Sequence, residues 1–198
     1  MIESLKETTM NAAFLKAKFD AGLDYQAYVA TGNDDQRQRW NDFQSQVELD
    51  GAQRELIAGF RRQMKIVVLS GVWCGDCVQQ VPLIHAISNA NPEQLQVRYL
   101  DRDQHSDVQD QHLLNAGRRV PVAIFAAEDF EPCGWFGDRT LNRYRRMYQQ
   151  YKNPACETGI GSVAADAVAR ELQDWIDQFE RIQYMLLLSP RLCKIHGD

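Results

Sequence analysis

The sequence predicts an α/β fold: a mixed central sheet of about four strands in the order βαβαββα, between helices at the N-terminus and a long helix at the C-terminus. Three observations carry that reading. Residues 66–69 are a continuous β-branched and apolar run of the kind buried on both faces of a sheet, and they feed directly into a helical stripe of Cys77, Val81, Ile84 and Ile87. A second apolar run at 97–100 follows after one helix length. Runs at 122–125 and 133–136 then flank Glu128-Asp129-Phe130-Glu131, a connection too short for a crossover and suited to a hairpin.

Taken in order, residues 10–60 place apolar side chains at helical spacing. Met10, Phe14 and Ala17 form one stripe, and Tyr25, Tyr28 and Val29 form a second behind an Asp24 cap. Gly32 and Asn33 interrupt the pattern. Asn33 or Asp34 then caps a helix with Trp40, Phe43 and Val47 inside, and Asp50 caps another built on Leu56, Ile57 and Phe60. These faces read as core packing, with a ligand pocket lined by Trp40 and Tyr28 as the alternative.

Within the sheet region, Ser106 is expected to cap a helix running to Gly117, and both βαβ crossovers are expected to be right-handed. Asn153-Pro154, Gly159 and Gly161 mark 152–162 as a loop. Val168, Leu172, Trp175, Ile176, Phe179 and Ile182 keep one apolar stripe over about six turns, stopped by Pro190. That face must be buried against the core or against a second subunit, and the residues leave both open. The expected division is a helical extension over 1–64, a core domain over 65–151, and a loop with the C-terminal helix over 152–198.

A chain of 198 residues, 44% hydrophobic, can build one sizeable core with an extension. Its net charge of -5 argues against nucleic acid as the main partner, and basic residues outnumber acidic ones only between 61 and 150. Glu3 and Glu7 break the N-terminal stretch, which does not read as a secretory signal, and no run approaches a membrane span. A cytoplasmic protein is expected. Of five cysteines only Cys74 and Cys77 are close in sequence, so Cys133, Cys156 and Cys193 read as reduced and structural.

The chemistry concentrates at Trp73-Cys74-Gly75-Asp76-Cys77, a Cys-x-x-Cys between a strand and a helix. Backbone N–H groups and the dipole at a helix N-terminus favour a thiolate, so Cys74 is the candidate nucleophile and Cys77, one turn on, the resolving thiol. Gly75 is expected to permit close backbone approach, and Trp73 either covers the dithiol or simply packs. The Asp76 carboxylate is expected to raise the Cys74 pKa by repulsion and make the pair reducing, so that Asp76→Asn lowers it. Zinc at the two thiols would need two further ligands, and no second Cys-x-x-Cys supplies them. Asp101 and Asp103 read as loop and cap residues rather than as a metal site.

Trp73 before the dithiol, Pro82 five residues after Cys77, Pro121 in Arg118-Arg119-Val120-Pro121 and Gly137 in Trp135-Phe136-Gly137 occur in an order that resembles the thioredoxin superfamily. The pattern WCGD, the R-x-P loop and the trailing WFGDR are similar to a thioredoxin-like family with a helical N-terminal extension. The resemblance implies a thioredoxin-like fold, a proline-kinked dithiol helix, and a cis Pro121 that sets the Val120 backbone opposite Cys74 to pair with substrate. Arg118 and Arg119 on that loop either attract an acidic partner, or stabilise the thiolate, or are solvated surface. The place of the buried acid of thioredoxins, six residues before the first cysteine, holds Val68.

These readings imply a thiol-disulfide oxidoreductase that reduces protein or small-molecule disulfides through Cys74 and Cys77. No cofactor beyond the cysteine pair is expected, and an unidentified reductant regenerates the dithiol. The alternatives are a non-redox binding module on the same fold, or a single-cysteine thiol peroxidase or sensor using Cys74.

Overall fold

The structure, a computed structural model, describes residues 10–152 and 165–198. Four helices come first, α1 Ala12–Ala21, α2 Tyr25–Ala30, α3 Asp34–Gln44 and α4 Gly51–Ala58, each opened by a side chain that accepts a backbone N–H of its first turn. Asn33 with Gln36, and Asp50 with Gln53, make reciprocal capping boxes. Such caps add about 1 kcal/mol each, which short polar helices need because their own propensity is weak. The sheet region then runs β1 Met64–Ser70, α5 Gly75–Ala90, β2 Leu95–Asp101, α6 Ser106–Gln109, β3 Val122–Ala126, β4 Pro132–Gly137 and α7 Leu141–Lys152. Helices α8 Ala165–Leu187 and α9 Pro190–His196 follow.

The sheet has four strands in the order β2-β1-β3-β4, with β1 and β2 parallel and the other pairs antiparallel. This is the mixed α/β sheet that the sequence predicts. Only β1-α5-β2 is a parallel crossover, however. The second expected one fails because β3 enters from the opposite end and pairs with β1 from Lys65 opposite Ala126 to Leu69 opposite Val122. The outer edge of β2 is partly covered by the extension, where Leu23 and Tyr99 exchange backbone hydrogen bonds.

Several expectations shift for local reasons. Helix α6 lasts four residues, not twelve, and its N-cap is His105. Side chains take over carbonyls that a longer helix would use: the His112 ring donates to the Val108 oxygen at 2.8 Å and Gln111 to that of Asp107. Asn115 and Ala116, both at positive φ, then form a tight turn between Leu114 and Gly117. On α1 the buried residues are Leu15 and Phe19, whereas Phe14 is half-buried and Ala17 exposed. Helix α8 ends at Leu187, just before Pro190, which also opens α9 at its first turn, where its missing N–H costs nothing. The loop markers from Asn153 to Gly161, and Cys156, lie outside the described residues.

Trp40, Phe43, Ile57 and Tyr28 of the extension are buried against the sheet and α5. From the other end of the chain, α8 buries Val168, Leu172, Trp175, Ile176, Phe179 and Ile182. Phe179 meets Phe125 edge-on at 5.2 Å and Trp175 meets Phe136 at 4.9 Å, so the stripe packs on this chain's own sheet. Among the described residues no helix is long and apolar enough to cross a membrane.

Candidate active site

Strand β1 is buried from Ile66 to Ser70 and delivers the chain to a four-residue connection before α5. Two contacts fix that loop. Trp40 of the extension donates its indole N–H to the Val72 oxygen at 2.9 Å, and Cys74 donates its backbone N–H to the Gly71 oxygen. A Cβ on Gly71 would sit 2.8 Å from the Trp73 ring, so glycine there lets the indole fold back while remaining 42% exposed. Cys74 is the N-cap of α5, with extended backbone, and its oxygen accepts the first helical hydrogen bond from Val78. Pro82 lies inside the same helix and is buried.

The two thiols are free and differ in environment. Cys74 is half-buried, its sulfur 3.8 Å from the Val120 oxygen, and Cys77 is 0% exposed. The Cys74 pKa is lowered to about 6, chiefly by the neighbouring Cys77 thiol, which hydrogen-bonds the thiolate. Burial works against this, while the Cys77 and Asp76 backbone N–H groups of the first helical turn assist it. Burial drives Cys77 the other way, well above an ordinary thiol, and the Ser70 hydroxyl offsets only part of that. Behind the pair, Val68, Ser70 and Tyr28 are buried.

Asp76 corrects the expectation that repulsion dominates. Burial acts to raise its pKa, but Arg139 and Arg143 outweigh this and hold the carboxyl below its usual range. Arg139 Nη2 and Arg143 Nη2 each lie 2.5 Å from one of its oxygens. With its charge engaged in that way, the Asp76 carboxylate still pushes the Cys74 pKa up, but by less than the hydrogen bonds from Cys77 and the helix backbone lower it. The alkylation rate of Cys74 tracks its thiolate fraction, so it should rise through about pH 6 and be flat by pH 8 rather than climb to pH 9. In Asp76→Asn the midpoint should fall further, because the negative charge that opposes the thiolate is lost. A pH series with iodoacetamide and mass spectrometric readout of Cys74 checks both.

The remaining predicted residues fall into two groups. Val120, joined to Pro121 by a cis peptide, faces Cys74 through its backbone oxygen, and Arg119 lines the same opening with its Nη1 3.3 Å from Asp138. At Gly75 a Cβ would meet no atom of the protein within 4 Å, so no internal contact requires glycine there. The tight contact is at Gly137, where a Cβ would come 2.2 Å from the Pro121 oxygen. Asp101 accepts the backbone N–H groups of Asp103 and Gln104, a loop role. Among the described residues no three metal-binding side chains converge.

Sequence reasoning missed Arg102, Asp138, Arg139 and Arg143. Arg139 was visible in the trailing WFGDR, and Arg143 follows it at one helical turn, but nothing in the sequence paired either with Asp76. Trp40 was read as packing and also holds the Val72 carbonyl.

Two solved structures share most of this architecture. A protein of unknown function from Pseudomonas aeruginosa is 19% identical with a TM-score of 0.66, covering 83% of this chain and 93% of that one. An HIV epitope scaffold, also 19% identical, has a TM-score of 0.63 and covers 84% and 95%. No curated protein matches the sequence significantly. A family model described as thioredoxin matches residues 22–152, which takes in three helices of the extension, the dithiol, the loop at Pro121 and all four strands, and the chain therefore belongs to the thioredoxin family.

Proposed function

We propose that the chain is a thiol-disulfide oxidoreductase in which Cys74 attacks and Cys77 resolves. The observation that carries this is the asymmetry of the two thiols: one half-exposed and acidic, its neighbour sealed and holding its proton. In that arrangement the Cys74 thiolate attacks one sulfur of a substrate disulfide, forming a mixed disulfide and releasing one substrate thiolate. Cys77 then gives up its proton and attacks Cys74, releasing the second thiolate and leaving a Cys74–Cys77 disulfide. Two electrons pass from the cysteines to the substrate, and the protons end on the released thiols. A thiol or dithiol reductant restores the pair, and a reducing compartment such as the cytoplasm suits it.

The reading is tested by equilibrating the protein in buffers of graded reduced and oxidised dithiothreitol and trapping free thiols. One reversible two-electron transition confined to Cys74 and Cys77 is the expected result. Absence of any disulfide between them would favour the binding module, and peroxide-driven sulfenic acid at Cys74 without a disulfide would favour the single-cysteine sensor.

A further inference from the structure

The opening above Cys74 is a cavity of about 230 Å³ whose walls carry four arginines, Arg102, Arg118, Arg119 and Arg139, beside Trp73. Its two acids are held from within. Asp76 is bound by Arg139 and Arg143, and Asp138, its side chain 3% exposed, lies between Arg119 at 3.3 Å and Arg139 at 3.4 Å and accepts the Tyr144 hydroxyl. What faces outward is therefore guanidinium. The Arg102 guanidinium lies 4.5 Å from the Trp73 ring centre and donates to the Arg118 oxygen at 3.1 Å, which orders it across the opening. Its contact with Asp103 and that of Arg118 with Asp110 involve acids that are more than half exposed, and surface pairs of this kind are readily exchanged for another carboxylate.

We infer that this opening selects the disulfide of a small, carboxylate-bearing thiol, an inference that rests on the oxidoreductase reading and names its substrate class. Planar guanidinium groups pair with carboxylates through two parallel hydrogen bonds, and a desolvating ring such as Trp73 strengthens them. At about 230 Å³ the opening has room above Cys74 for one half of a small disulfide. The arginines place a carboxylate while the substrate sulfur meets Cys74. The bonds made and broken are those of the exchange above: the substrate disulfide is reduced to two thiols, the cysteine pair is oxidised, and a dithiol reductant regenerates it.

The test compares three disulfides of similar size and different charge, 3,3′-dithiodipropionate, bis(2-hydroxyethyl) disulfide and cystamine, against the fully reduced protein in single-turnover stopped flow. Each rate is divided by the rate of the same disulfide with free dithiothreitol, which removes differences in sulfur reactivity. At low ionic strength the dianionic compound should be favoured about tenfold over the neutral one and more over the cation, converging as salt screens the arginines. Arg118→Gln, at a residue 60% exposed, should lower the anionic-to-neutral ratio about threefold. Equal normalised rates, a preference for cystamine, or reduction of insulin with the small disulfides ignored would overturn the inference while leaving the oxidoreductase reading in place. No reaction with any disulfide would sink both.

Discussion

Cys77→Ser is expected to stop turnover after the first exchange, with disulfide reduction falling at least a hundredfold and a substrate adduct accumulating on Cys74. The size of the effect follows from proximity. A resolving thiol one helical turn away acts at an effective concentration far above any thiol in solution, on the order of 10⁵ M or more for well-aligned intramolecular reactions. Removing it leaves resolution to a second molecule that must reach a half-buried sulfur. Serine is a close match in volume, so the sealed position tolerates it, and its hydroxyl cannot attack a disulfide under these conditions. Serine also keeps a hydrogen-bond donor beside the Cys74 sulfur, so the first exchange should proceed at a pH close to that of the parent. Mass spectrometry of the adduct, with steady-state turnover in parallel, measures both effects. Unchanged turnover and no adduct would leave Cys74 acting alone.

How much of this was readable beforehand depended on whether the partners were close in sequence. The Cys74–Cys77 pair, the helix it opens and the buried run of β1 depend on neighbours within a few residues, and periodicity and cap chemistry report those directly. Asp76 shows the opposite case. The sign of its effect on Cys74 was right but its weight was overestimated, because the two guanidinium groups that engage it lie 63 and 67 residues away, brought in by the turn after β4 and the first turn of α7. Strand β3 was recognised from its composition, but its direction is set by where the chain re-enters the sheet, which no local pattern encodes. The shortened α6 failed for a subtler reason, since His112 and Gln111 compete for helical carbonyls, and side chains with that option look unremarkable in a helical run. On α1 both Phe14 and Leu15 were available to face inward. The fold chose Leu15 with Phe19, and the edge-on contact of Phe19 with Phe130, from the hairpin connection, is a tertiary fact.

Glu171→Ala should destabilise the folded protein by about 3 kcal/mol or more, the second large effect, because the residue joins α8 to the dithiol helix through charge that cannot easily be left unpaired. Glu171 is 2% exposed; one oxygen accepts Gln80 Nε2 at 2.8 Å, and the other accepts Arg146 Nη2 at 2.8 Å and Nε at 3.1 Å. Gln80, itself fully buried, accepts the Trp175 indole N–H at 2.8 Å, so a single amide links an acid and a tryptophan, both on α8. Alanine at 171 would leave the Gln80 amide without its acceptor and Arg146 without its counter-charge. Arg146 is a quarter exposed and can turn partly to water, which places the expected loss near the lower end of what broken buried pairs cost. Glu171→Gln keeps an acceptor for Gln80 and removes only the charge, and should cost roughly half as much. Urea denaturation of the three proteins, read as midpoint shifts at constant slope, separates these cases. A Glu171→Ala loss below about 1 kcal/mol would mean that the pair behaves as a surface ion pair despite its burial.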